Sequence, residues 1–165
     1  MSSSPERAIA LARAAGVTIA TTESLTGGLV SAALTSVPGA SDVFLGGVTS
    51  YALGAKEDVL GVPASLLAES GPVSEAVALA MAHGGRELLG ADVVVATTGA
   101  AGPEPHGGKP AGTFCIAVSA PGGDVSLTAT GPGGRDEVRA EATIRAIAAL
   151  CDVLDSSLLT GTSVG

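Results

Sequence analysis

A chain of 165 residues fits one domain and is long enough to bury a sound core. Eight basic residues against sixteen acidic ones, a formal net charge of −8, speak against nucleic acid as a partner, because phosphate backbones need clustered Lys and Arg. No stretch reaches the roughly 18 unbroken apolar residues of a membrane span, and Met1 to Arg7 lacks the charged region and apolar core of a signal peptide, so a cytoplasmic location is expected.

The core must come from Ala, Val, Leu and Ile, since there is no Trp, one Tyr (Tyr51) and two Phe (Phe44 and Phe114). The first helix is expected from Ser4 as N-cap and Pro5 at the first helical position to Gly16. Val17 to Thr22 then reads as a strand that breaks into a hydroxyl- and glycine-rich turn, Glu23 to Gly28, with a helix following to about Pro38-Gly39. Val43 to Tyr51 is a second strand whose Gly46 and Gly47 point to a bulge or a close backbone approach. A short helix carries Lys56 to Leu60-Gly61, and Pro63 to Ala68 adds a turn. Ser74 to Leu89 is a longer helix, alanine-rich enough to be buried on most sides.

Ala91 to Thr98 is a continuous apolar run, the signature of a central strand covered on both faces. Gly99 to Ala111 is a loop rich in Gly and Pro. Thr113 to Ala120 and Val125 to Thr130 form a hairpin, and the last helix runs from about Asp136 to Leu154. Residues Asp155 to Gly165 read as a flexible tail beyond a core of about 5–154. Helices alternating with strands, then a late hairpin, imply a single three-layer α/β/α domain with a mixed β-sheet. Cys115 and Cys151 stand alone, one in a strand and one in a helix, as small buried hydrophobes.

Four segments carry chemistry. In α/β folds ligands bind at the carboxyl ends of strands, so Ser24 in the first turn could cap a helix, join an anion site with Gly27 and Gly28, or act as a nucleophile. Tyr51 and Lys56 form the second. Six of the eight basic residues are Arg, so the two lysines, Lys56 and Lys109, stand where an amine differs from a guanidinium. Lys56 could be mere packing or, buried and neutral, the base that a serine nucleophile needs. Glu23 would oppose that neutrality if close, so it is given a positioning role. The third segment is Thr97 to Pro103 continued by Gly107 to Gly112, a glycine-rich loop leaving the central strand. The fourth is Gly131 to Arg139, where Arg135 either reaches an anionic ligand or faces water. His83 and His106 read as exposed, and no Cys/His or paired-carboxylate spacing suggests a metal.

Together these segments resemble the C-terminal domain of competence/damage-inducible protein A, the family that includes bacterial nicotinamide-nucleotide amidases. The matching motifs are Thr21 to Gly28, Tyr51 to Lys56 with Leu60-Gly61-Val62, Gly71 to Glu75, Thr98 to Pro103 with Lys109 to Gly112, and Gly134-Arg135. The resemblance implies hydrolysis of the carboxamide of nicotinamide mononucleotide to nicotinic acid mononucleotide and ammonia, without a cofactor, by a chain that looks like the family's stand-alone form. It implies Ser24 as nucleophile supported by Tyr51 and Lys56. The expected substrate contacts are Glu23, Thr26, Gly27, Gly28, Thr98, Gly99, Ala100, Gly102, Lys109 and Arg135. Within these, free N–H groups near Thr26 to Gly28 or at Gly99-Ala100 would hold the oxyanion, and the glycine turns, Lys109 and Arg135 are candidates for the phosphate. Ala52-Leu53, where many relatives have Ser-Asn, and extra residues in the Gly102 to Gly108 loop depart from the pattern. The rival reading is a non-catalytic nucleotide-binding module, and an amidase for another small amide is a third. The apolar, alanine-rich composition also suggests a homodimer.

Overall fold

The computed structural model describes residues 2–159. Helix α1 (Pro5–Ala15) starts as expected: the Ser4 side chain accepts from the Arg7 N–H, and Gly16 closes the helix in the left-handed conformation. Strand β1 (Ile19–Glu23) begins two residues late because Thr18 is held by Asp92, whose carboxylate accepts from both its N–H (2.8 Å) and its hydroxyl (2.9 Å). Helix α2 (Leu29–Thr35) stops short of Pro38, and a 3-10 turn (Ala40–Asp42) leads into β2 (Phe44–Thr49). Gly47 is where the backbone is approached closely: a Cβ there would collide with the hydroxyls of Ser31 and Thr21.

Helices α3 (Leu53–Asp58), α4 (Ala64–Ser70) and α5 (Glu75–Leu89) follow, then β3 (Val93–Gly99), the hairpin β4 (Thr113–Ala120) and β5 (Gly123–Thr130), and α6 (Arg135–Leu154). Helix α5 buries Val77, Ala78, Met81, Ala82 and Gly85, one stripe only, while Leu88 stays exposed. The expectation that it is buried on most sides is therefore corrected: its alanines serve one close-packed face. The expected tail is also corrected in part. Ser157–Leu159 forms a 3-10 turn, Leu158 and Leu159 pack on the core, and the Leu158 carbonyl accepts from the Gly122 N–H (2.7 Å). Residues 160–165 lie outside the described part.

The five strands lie in the order β2-β1-β3-β4-β5. Strand β1 pairs in parallel with β2 and β3, and the β3–β4 and β4–β5 pairs are antiparallel. Two apolar layers sandwich this mixed sheet. One joins α1, α2 and α6 to Ile19, Val93, Val95, Ile116 and Val118; the other joins α4 and α5 to Ala20, Val94, Ala96, Cys115 and Ala117. Chain connections leave β1 toward β2 on one side and reach β3 on the other, so the carboxyl end of β1 is the point where strand order reverses, the place an α/β sheet opens a crevice. Ser24 is the next residue. No helix among the described residues is long and apolar enough to cross a membrane.

Candidate active site

The sheet ladder runs one residue past its strands. The Ser24 N–H donates to the Thr97 carbonyl (3.0 Å) and the Ser50 N–H donates to the Glu23 carbonyl (2.8 Å). The Glu23–Ser24 peptide is thereby pinned on both sides before the chain reverses through Gly27 and Gly28, each at positive φ (+59° and +104°). Glu23 then holds the reversal from beneath. One carboxylate oxygen accepts from the N–H groups of Gly28 (3.2 Å) and Val30 (2.9 Å), the other from the N–H (3.0 Å) and hydroxyl (2.9 Å) of Ser31. A carboxylate at a helix start suits the dipole, and this one takes the N–H groups that an anion would use.

Four expectations change here. Glu23, 1% exposed, does not reach substrate; it positions the turn. The start of α2 is no phosphate site, because its donors are taken. Gly27 and Gly28 offer no N–H to an oxyanion either, since the Gly27 N–H donates to the Ser24 carbonyl (3.0 Å). Thr26 is fully buried with its hydroxyl on that of Thr97 (2.7 Å), so its side chain also turns away from any ligand.

Ser24 caps nothing. Its hydroxyl lies 2.9 Å from Lys56 Nζ, which also donates to the Ser50 carbonyl (2.9 Å). Lys56 is 2% exposed, with no ion-pair partner among the described residues. Burial lowers its pKa from 10.5 to about 8. Helix α3 aims it: the Lys56 N–H donates to the Ala52 carbonyl, and its own carbonyl accepts from the N–H of buried Val62. A neutral amine here would turn the bond around and accept the serine proton, the arrangement that activates a hydroxyl.

Ser24 opens onto a cavity of about 410 Å³ walled by Leu25, Tyr51, residues 99–106 and Arg135. Tyr51 is 61% exposed and makes no bond to Lys56; its hydroxyl accepts from Arg135 Nη2 (2.6 Å), while Arg135 Nη1 donates to the Gly102 carbonyl (2.9 Å). The expected Tyr51–Lys56 partnership is corrected: Tyr51 joins Arg135 across the cavity rim. Gly99 lies on the wall, and packing demands glycine, because a Cβ would come within 2.7 Å of Leu25 and 2.8 Å of Phe114. Ala100 lines the cavity too, but its N–H donates to the Thr113 carbonyl (2.8 Å) and is not available to an oxyanion.

Thr98 and Lys109 fall away from the site. The Thr98 hydroxyl is buried on the Pro72 carbonyl (2.6 Å). Lys109 is exposed; its backbone pairs with that of His106 across Gly107-Gly108, and it does not line the cavity. His106 is exposed as expected, yet it lies on the cavity wall with Glu104.

Two contributors escaped the sequence reading. Ser50 acts through its carbonyl, which no residue type announces. Arg139 donates from Nε to the Leu25 carbonyl (2.9 Å) and from Nη2 to the Thr26 carbonyl (3.4 Å). The signal for it was the spacing of Arg135 and Arg139, four apart on one helix face. Among the described residues no group of three or more His, Cys, Asp or Glu could hold a metal ion.

A family model described as the CinA C-terminal domain matches residues 2–154. The chain is 48% identical over 130 residues to a CinA-like protein of Frankia casuarinae, covering 79% of this chain and 30% of that protein. It is 49% identical over 146 residues to a CinA-like protein of an Anaeromyxobacter species, covering 87% and 35%. It thus spans about a third of the length of these relatives. Among solved structures, a CinA superfamily protein from Klebsiella pneumoniae superposes with a TM-score of 0.88 at 36% identity, covering 92% of this chain and 95% of that one. The competence/damage inducible protein CihA from Agrobacterium tumefaciens does so with a TM-score of 0.79 at 36% identity, covering 94% and 100%.

Proposed function

Because the chain belongs to the CinA C-terminal domain family, we propose that it is a nicotinamide-nucleotide amidohydrolase, converting nicotinamide mononucleotide and water to nicotinic acid mononucleotide and ammonia. The observation that carries this reading is the buried 2.9 Å contact between Lys56 Nζ and Ser24 Oγ. A binding module has no use for a lysine held near a pKa of 8 against a serine hydroxyl that caps no helix.

In this mechanism neutral Lys56 takes the Ser24 proton as Oγ attacks the carboxamide carbon. The C=O π pair moves to oxygen, and the resulting oxyanion is held by N–H groups that the fold leaves free. Lys56 then passes its proton to the amide nitrogen, the C–N bond breaks and ammonia departs, leaving Ser24 acylated. Water attacks the ester with Lys56 again as base, and the tetrahedral carbon collapses to carboxylate and free serine. Burial of Lys56 serves both directions, because a pKa near 8 lets the amine accept and return a proton near neutrality. Arg135 at the cavity mouth is the one guanidinium on the wall and suits the nucleotide phosphate.

The test is ammonia release from nicotinamide mononucleotide by the purified chain. Activity is expected in the parent and absent in Ser24→Ala. Lys56→Arg keeps the charge but cannot act as base, so turnover surviving that change would remove Lys56 from the chemistry.

A further inference from the structure

We infer that Arg139 is a positioning residue for the oxyanion, fixing the peptide groups that follow Ser24; the inference rests on the reading of Ser24 as a nucleophile. Arg139 lies one helical turn beyond Arg135 but does not line the cavity; its guanidinium instead grips two consecutive carbonyls, those of Leu25 and Thr26. Its remaining contact is a 4.0 Å approach to Asp136, whose side chain is 93% exposed, so the turn is its main partner. A Cβ at Gly27 would lie 3.3 Å from Arg139 Nη2, which shows how closely the guanidinium packs on the turn.

Across a trans peptide the N–H points opposite to the C=O. Holding the Leu25 carbonyl therefore aims the Thr26 N–H the other way, and the adjoining cation polarises that peptide, making its N–H a stronger donor. Of the four N–H groups from Leu25 to Gly28, those of Gly27 and Gly28 are taken by the Ser24 carbonyl and Glu23. Those of Leu25 and Thr26, the first two after the nucleophile, have no partner among the described residues. These are the donors left for charge developing beside Ser24; Arg139 fixes the direction of the Thr26 N–H, while that of Leu25 is set by the Gly27 bond to the Ser24 carbonyl. A guanidinium fork can hold two carbonyls at once, which a lysine cannot do as rigidly.

The experiment compares the parent, Arg139→Ala and Arg139→Lys in ammonia release from nicotinamide mononucleotide, and in binding of pyridine-3-boronic acid, whose tetrahedral adduct with Ser24 mimics the oxyanion. Displacing the donors is expected to lower kcat by about 10²-fold in the alanine variant, with KM within about twofold and boronate affinity falling in parallel. Lysine should recover part of the loss, and added guanidinium ion should restore part of the alanine variant's rate. The acid limb of the pH profile should not move, because Arg139 does not touch Lys56.

A raised KM at unchanged kcat, or unchanged boronate affinity, overturns the inference. An active parent with an equally active Arg139→Ala overturns it while leaving the amidase reading intact. A parent that releases no ammonia but binds the boronate in an Arg139-dependent way removes the substrate assignment and keeps the inference; a parent that does neither removes both. Where Arg139→Ala does not fold, Arg139→Lys carries the comparison, and a kcat equal to the parent's overturns it.

Discussion

Two glycine-containing segments face each other across the cavity, the Glu23 to Gly28 turn after β1 and the Gly102 to Lys109 loop after β3, and they are built in opposite ways. In the turn, Glu23, Ser24, Leu25 and Thr26 are all buried, and one carboxylate accepts four hydrogen bonds. In the loop, Pro103 to His106 are exposed, and the main attachments are the His106–Lys109 backbone pair and the Arg135 bond to the Gly102 carbonyl. Similar composition hides the contrast. The turn needs glycine to reverse the chain over a buried carboxylate; the loop reverses at Gly107, packed on Pro72, and at Gly108, which faces open space. Reacting groups must be held within a fraction of an ångström, so the chemistry belongs to the first segment and the fit to the substrate's outer part to the second.

The largest expected effect lies on the buried side. Lys56→Met should abolish amidase activity, a loss above roughly 10³-fold, yet stabilise the fold. The sign follows from its pKa of about 8 folded against 10.5 unfolded. Below pH 8 both states are protonated, and burying the charge costs the parent up to roughly 3 kcal/mol. Between pH 8 and 10.5 the unfolded chain binds more protons, so the parent's stability climbs with pH and the advantage of methionine fades. Thermal melts at pH 7 and pH 10 read the difference; an advantage independent of pH would deny Lys56 its lowered pKa. The parent's kcat/KM should rise with pH through an acid limb near 8, since the free base is the reactive form.

Next comes Glu23→Gln, which keeps shape but turns an NH₂ group toward N–H donors. A loss of about 2–3 kcal/mol in urea denaturation is expected, from donors left unpaired in a buried site. Turnover should fall about tenfold as the Ser24 turn loosens, a distance-sensitive loss. A variant that melts like the parent would mean the carboxylate does not hold the turn.

The same contrast explains what could be read in advance. Strand runs such as Val93 to Ala96 and the cap at Ser4 declare themselves locally, through apolar continuity and a hydroxyl three residues ahead of a free N–H. The residues alone left Ser24 and Lys56 several roles; the family resemblance implied their pairing, and the structure brings the two to 2.9 Å. What misled were directions. Five residues seemed to put Tyr51 beside Lys56, but α3 starts between them and sends the amine inward while the phenol stays at the rim. Glu23 looked available to a ligand until α2 was placed over it. Ser50 contributes a backbone carbonyl, and the Ala100 N–H is taken by Thr113; neither fact has a side-chain signature.

On the exposed side, effects should shrink and change kind. Arg135→Ala removes the bonds to Tyr51 and the Gly102 carbonyl and a cation from the cavity wall. KM for nicotinamide mononucleotide should rise about tenfold, the worth of a charge-assisted hydrogen bond, with kcat changed by less than about threefold. A collapse of kcat at unchanged KM would instead put Arg135 in the chemistry and blur the division between the two segments.

The smallest effect, and the sharpest control, comes from a matched pair of glycines. Gly27 in the turn and Gly108 in the loop have similar left-handed φ, +59° and +75°, so alanine strains the backbone by about 1 kcal/mol at either place. Their surroundings differ: nothing lies within 4 Å of a Cβ on Gly108, whereas one on Gly27 would press on Arg139 Nη2 at 3.3 Å. Gly108→Ala should therefore melt slightly lower than the parent with unchanged kcat and KM. Gly27→Ala should melt about as low but lose turnover, because Arg139 must give way and the carbonyls it grips move with it. Equal activity in the two variants would show that the buried turn tolerates the displacement, and that its tight bonding serves the fold rather than the reaction.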